Sequence, residues 1–250
     1  MATHKPARAV IRRSPHRDVG VITVPWLQEE SIEWESQLER RGAFACIAFF
    51  GTVKILHQPF HIPLKARDGK SEARYTPDFL VELIDGTKIV IEVKPRRFVE
   101  ENESLFNEAS GWLGQNGIVF AVLTDQELDH PGWRHVEPML LQYARWDIDA
   151  ESRARIFARL VDAGGRLLFR DLWDGINVKT KIPALHMLGR REILCDPRCW
   201  REDDTEIKLP ANKCQHKFQP EKSHENEADA AYLFFDWLGV APWDEHAKFR

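Results

Sequence analysis

YTPDFLVELIDGTKIVIEVKP, residues Tyr75–Pro95, decides how this chain is read. Apolar residues cluster at Phe79, Leu80 and Val81 and again from Ile89 to Val93, on either side of Asp85-Gly86-Thr87. That is the pattern of two strands joined by a tight turn. The second strand carries Glu92 and Lys94 where apolar residues would serve. Residues i and i+2 of a strand share a face, so these two side chains point the same way while Ile89, Ile91 and Val93 face the core. The turn brings Asp78 back opposite residue 93 or 94. Directly opposed residues share a face, so Asp78 joins Glu92 and Lys94 only if its partner is Lys94. That pairing requires a three-residue loop, Asp85–Thr87, or a bulge.

Two carboxylates and an ammonium at one strand end repel or pair at a cost that a hard divalent cation offsets. Mg²⁺, with Mn²⁺ as a substitute, takes oxygen ligands, and Asp78, Glu92 and the Val93 backbone carbonyl make a sufficient set. Such an ion activates water and stabilises charge on a phosphoryl oxygen, and Lys94 can steady the pentavalent phosphate. The order Pro77-Asp78, spacer, Glu92-Val93-Lys94 resembles the signature of the PD-(D/E)xK nuclease superfamily. The competing interpretation is an exposed hairpin face with a surface Glu–Lys pair, worth little energetically.

The 250 residues, 43% hydrophobic and 30% charged, are enough for a buried core in one large domain or two smaller ones. No apolar run approaches the ~20 residues of a membrane-spanning helix, and the N-terminus lacks a signal-peptide core, so the cytoplasm is the expected compartment. A net charge of −4 excludes a global positive field. A grip on nucleic acid must then be local or come from a partner. One local candidate is the basic arm Lys5, Arg8, Arg12, Arg13 and Arg17, which precedes the first acid, Asp18. A solvated tail accounts for the same residues.

The periodicity predicts a helix over the SIEWESQLERRGAFACIAFF segment with Ser31 as N-cap, then a strand interrupted by Pro59 and Pro63, and a polar loop KARDGKSEARY. After the hairpin come a helix in EENESLFNEASGWLGQNG and a buried strand in IVFAVLT. The expected class is α/β, with a mixed sheet. From Asp129 onward helix, strand, helix and a short strand suit a small winged-helix-like module. The expected boundaries are an arm over 1–18, a nuclease domain over 19–130, a winged-helix-like domain over 131–200 and an extension over 201–250. The extension ends in an apolar helix, ADAAYLFFDWLG, that must pack on something.

Taken together, WESQLERRGAF, HQPFHIPL, RYTPDFLV and IVIEVKP, in this order and spacing, resemble the N-terminal domain of the TnsA family over roughly residues 15–128. TnsA proteins are the endonuclease subunits of heteromeric transposons. The resemblance implies a restriction-endonuclease-like PD-(D/E)xK core. It also implies Glu39 as the helical acid, with Asp78, Glu92 and Lys94 completing the site and Glu39 assisting a metal or its water. Glu35, one turn earlier, ranks second. Gln58 matches a family residue beside the site; satisfying backbone groups is the preferred account of it. The implied function is cutting of the 5′ strands at transposon ends. The implied partners are an integrase-fold, TnsB-like transposase and an AAA+, TnsC-like ATPase. Gly42, inside the helix, departs from the family's pattern and weakens a helix interior by up to about 1 kcal/mol.

Two rival functions remain at this level: a stand-alone restriction or repair nuclease of the same superfamily, and a non-catalytic adaptor using the fold as a docking surface. A separate zinc site is conceivable at Cys195, Cys199, Cys214 and His216, but the C-x3-C and C-x-H spacings are uncommon and buried thiols account for the cysteines. His57 is assigned to ordinary packing or the surface.

Overall fold

The computed structural model describes residues 6–7, 18–65, 72–172, 181–200, 202–210 and 230–243. Two compact units divide the chain, one from Met1–Asp129 with Ala228–Arg250 and one from His130–Glu227. In the first unit the elements run β1 (Gly20–Ile22), β2 (Ile32–Trp34), α1 (Gln37–Ala48), β3 (Thr52–His57), β4 (Ile62–Lys65), β5 (Glu72–Tyr75), β6 (Phe79–Leu83), β7 (Lys88–Val93), α2 (Glu103–Gln115), β8 (Val119–Leu123) and α3 (Asp125–Leu128).

The core of this unit is a four-stranded sheet in the order β3-β6-β7-β8. β3, β6 and β7 are antiparallel neighbours, whereas β8 lies parallel to β7. A parallel pair needs a crossover, and α2 supplies it. Every residue from Ile89 to Val93 is buried, so β7 is covered on both faces, unlike the one-sided strand that alternation alone predicts. On one face Val90 packs with Phe106, Ala109 and Leu113 of α2 and with Phe120 and Val122 of β8. On the other, α1 approaches so closely that a Cβ at Gly42 would lie 2.9 Å from Val93 Cγ2. Gly42 is therefore where helix and strand meet, which answers the cost it carries as a helix residue. At the outer edge of the sheet the Gln28 side chain pairs with β3 as a strand would: its Oε1 accepts from Ile55 N at 2.8 Å and its Nε2 donates to Ile55 O at 3.0 Å.

Two sequence expectations change here. Residues 32–34 form β2, paired antiparallel with β1, and the helix begins only at Gln37 with Ser36 as its N-cap. Ser36 Oγ accepts from Glu39 N, and the Glu39 carboxylate reaches back to Glu35 N and Ser36 Oγ. Ser31 has no comparable partner acid three residues on, so the reciprocal cap wins. The second change is EARY, which is not loop: as β5 it pairs with β4, Ile62 opposite Tyr75.

The second unit contains α4 (Val136–Leu141), α5 (Ala150–Asp162), β9 (Arg166–Leu168), α6 (Ile182–Gly189) and β10 (Glu206–Lys208). β9 and β10 form an antiparallel ribbon, and Leu194 makes an isolated bridge to Lys208. Ile156, Leu160, Phe169, Met187 and Ile207 form its core. α5 is capped by Asp149, which accepts from Ser152 N at 2.7 Å. Among the described residues no helix is long and apolar enough to cross a membrane.

The last helix, α7 (Ala230–Leu238), packs on the first unit. Phe234 meets Phe49 edge-on at 5.2 Å, and Trp237 Nε1 donates to Ala45 O at 3.0 Å. Beyond the helix, Trp243 N donates to Phe120 O at 2.8 Å and its Nε1 to Asn107 Oδ1 at 2.7 Å. The stretch after residue 200 thus contributes β10 to one unit and α7 to the other. Phe234 is fully buried, so Phe234→Ala should lower the unfolding free energy by ~3–5 kcal/mol, the usual range for a buried aromatic, in a chemical denaturation curve.

Candidate active site

The β6–β7 register sets the geometry. Phe79 stands opposite Ile91, Val81 opposite Ile89 and Glu82 opposite Lys88. Leu83 N donates to Thr87 O at 2.9 Å, leaving Ile84, Asp85 and Gly86 as the loop. Gly86 has φ +87°, the left-handed position that such a three-residue turn reserves for glycine. The expected loop length is therefore right, but the loop lies one residue earlier than Asp85–Thr87. Continuing the register by one step puts Asp78 opposite Glu92 and not Lys94. The outcome is a closer meeting of the two carboxylates on the same face.

Glu92 is 4% exposed. A buried carboxylate needs donors, and among the described residues it has two. Tyr75, at the end of β5, donates its hydroxyl to Glu92 Oε2 at 2.6 Å. Lys94 Nζ lies 2.9 Å from Oε1. The Asp78 Oδ2 accepts from Val93 N at 2.8 Å, which ties the start of β6 to the end of β7. Glu39 enters from the N-terminus of α1, near enough for its charge to act on Asp78, Lys94 and Glu92. Its carboxylate is held in the helix cap at 2.7 Å from Glu35 N and 3.0 Å from Ser36 Oγ.

The electrostatics follow from this crowding. Burial, reinforced by the charges of Glu92 and Glu39, pushes the Asp78 carboxyl well above its usual range, and the bond from Val93 and the Lys94 charge only partly offset it. Burial also raises Glu39, with the Glu35 and Glu92 charges adding to it against the cap hydrogen bonds. For Lys94, burial disfavours the ammonium, but Glu92, Asp78 and Glu39 outweigh it and raise its pKa. Tyr75 is raised by burial and then by Glu92 and Asp78, which keeps its hydroxyl a donor. Three acids thus share a site with one ammonium.

Among the described residues no three His, Cys, Asp or Glu side chains form a ready-made metal-binding group. Glu39 is engaged in its own cap. The donor chemistry nevertheless fits a hard cation, since Asp78 and Glu92 offer carboxylate oxygens, and the Glu92 charge that helps to raise Asp78 would be offset by a bound cation.

Neighbouring residues frame the cluster. Gln58, directly after β3, has φ +42°, donates its backbone N–H to Asp78 O at 2.7 Å and has a side-chain oxygen buried without a hydrogen-bond partner among the described residues. The expected satisfaction of backbone groups by the Gln58 side chain is not seen at that oxygen among the described residues. His57 is 5% exposed, with Nε2 3.7 Å from Glu33. Glu35 offers its backbone to Glu39. Sequence reasoning missed Tyr75; the signal available was its place three residues before Asp78, but its contact depends on β4–β5 pairing.

Cys195 is buried and its thiol is pushed up to about 12 by burial, while Cys199 is exposed and lies 3.8 Å from Asp196. Cys214, His216, Arg8, Arg12, Arg13 and Arg17 lie outside the described residues.

Residues 52–125 match the family model described as TnsA-like endonuclease N terminal. The matched stretch runs from β3 into α3 and contains Tyr75, Asp78, Glu92 and Lys94; Glu39 precedes it. A comparison with curated proteins finds no match to the chain.

The Asp78 shift has a definite sign. Its folded pKa lies above the unfolded value, so it contributes stability that is fully present below the unfolded pKa and lost as pH rises through the folded one. Above the unfolded pKa this shift is a net cost to the fold. In chelator, Asp78→Asn should therefore melt at a higher temperature than the parent protein at neutral pH, and the gap should close as pH falls toward ~4, the ordinary carboxylate range.

Proposed function

We propose that the first unit is a metal-dependent DNA endonuclease with a restriction-endonuclease-like PD-(D/E)xK core, acting as the 5′-strand-cutting subunit of a heteromeric, TnsA-like transposase. In this reading the second unit is a winged-helix-like module. A TnsB-like integrase-fold transposase and a TnsC-like AAA+ ATPase are the partners. The observation that carries it is the convergence of Asp78, Glu92 and Lys94 at one strand end, within the segment that matches an endonuclease domain.

Asp78, Glu92 and the Val93 carbonyl would hold Mg²⁺ or Mn²⁺, with Glu39 as a further ligand once released from its cap. The chemistry such an ion supplies is activation of water and neutralisation of charge on a phosphoryl oxygen. The chain's own groups do the rest. Val93 N holds Asp78 toward Glu92, and Tyr75 holds Glu92. Lys94 has a raised pKa and remains an ammonium, fit to meet the charge that develops on the phosphate during in-line hydrolysis. Beyond Lys94, Arg96 and Arg97 are exposed and the Arg97 guanidinium lies 4.6 Å from the Phe98 ring centroid. They extend a basic edge along which the backbone of the cleaved strand would run, a local grip on an acidic protein.

Lys94→Ala should reduce cutting on the order of 10²–10³-fold, the cost of losing one donor to a developing oxyanion, with the fold intact by circular dichroism. Glu39→Gln separates cap from charge, because Gln also closes a capping box. Its melting temperature should stay near that of the parent while cutting falls; unchanged cutting would leave Glu39 only its structural role. Arg96→Ala with Arg97→Ala should lower the salt dependence of DNA affinity, the slope falling by about one for each phosphate the chain no longer neutralises. Cutting that needs both partners indicates a transposon subunit, whereas cutting by the chain alone indicates an independent nuclease.

A further inference from the structure

Glu92 has two donors of different kinds. Lys94 is half exposed on a flexible stem, with its side chain 30% accessible. The Tyr75 ring instead packs against the α2-side core, and its strand is paired to β4. If Lys94 meets the phosphate, it must loosen its hold on Glu92 Oε1. A 4%-exposed carboxylate with no donor left is costly, so something has to hold it through that change.

We propose that Tyr75 is a positioning residue for the candidate metal site: its hydroxyl is the permanent donor that fixes Glu92 and frees Lys94 to act on the substrate. The proposal rests on the nuclease function above and deepens it. The phenol takes Oε2 and Lys94 takes Oε1, so the two donors do not compete for one oxygen. A phenol donates one hydrogen bond and keeps its proton, so donating to Oε2 sets the carboxylate's rotation without neutralising it. Asp78, opposite Glu92, is tied separately through Val93 N. The ribbon β4–β5 therefore does more than cover α2, because it delivers a side chain that orients an acid of the main sheet.

The role predicts a pattern that packing alone would not produce. Tyr75→Phe keeps the ring and removes only the hydroxyl. Glu92 then depends on Lys94, and Lys94 is no longer available to the phosphate. Loss of such an outer partner typically costs about 10–100-fold in metal affinity or activity. The rate at saturating DNA should fall by that order while the KM for DNA stays within about twofold, since no DNA contact has been removed. The two changes should also be non-additive, because both donors act on the same carboxylate.

The test is calorimetric titration of Mn²⁺ into the full chain, its Tyr75→Phe variant and its Asp78→Ala variant, with thermal melts of each. The expected result is loss of Mn²⁺ binding at this site in Asp78→Ala and ~10–100-fold weaker binding in Tyr75→Phe at an unchanged melting temperature. If Asp78→Ala binds Mn²⁺ as the parent does, the metal-nuclease reading itself fails. If Asp78→Ala abolishes binding but Tyr75→Phe keeps the parent's affinity, the positioning role is overturned and the nuclease reading stands. A Tyr75→Phe chain that fails to fold would likewise overturn it, by making the hydroxyl a structural prop.

Discussion

A carboxylate at Glu92, 4% exposed in a strand buried on both faces, is the constraint on which the first unit turns. Water does not reach it freely, so its charge must be met by the protein. The Tyr75 hydroxyl and the Lys94 ammonium meet it from either side. Supplying them requires β5 to pair with β4 and β7 to run one residue beyond its core stretch. The same register sets Asp78 opposite, where Val93 N fixes it. Elements from four parts of the sequence are thereby committed to a few side chains.

The rest of the unit makes that arrangement rigid. α2 and β8 seal the Val90 face, and α1 seals the Val93 face at a contact only a glycine permits. The approach of α1 also brings the Glu39 charge to the cluster from the helix N-terminus. α7 returns from the far end of the chain to fasten α1 through Ala45 and Phe49. An excess of acid is held in place by packing elsewhere, and in the proposed function that local cost serves chemistry rather than stability.

Much of this was legible from short-range pattern. The hairpin, the helix after it and the buried strand follow from alternation, helical spacing and a continuous apolar run, and Asp78, Glu92 and Lys94 follow from their places on that hairpin, although its loop lies one residue earlier than expected. The misreadings have long-range causes. Ser31 and Ser36 both precede helix-forming residues, and β1 pairing over 32–34 together with the Glu39 back-bond decided between them. EARY is polar because it belongs to a two-stranded ribbon and not to the main sheet, so it reads as loop. Tyr75 escaped notice because its partner is 17 positions away. Gly42 looked like a weak helix residue until Val93 was seen against it.

The central claim is that Asp78 and Glu92 together receive a divalent cation. Anomalous diffraction from crystals of the full chain soaked in Mn²⁺ tests this most directly. The predicted result is a peak between the Asp78 and Glu92 carboxylates, within coordination distance of the Val93 carbonyl oxygen. A peak elsewhere in the molecule with none at that strand end, at Mn²⁺ concentrations that saturate the protein in solution, would contradict it.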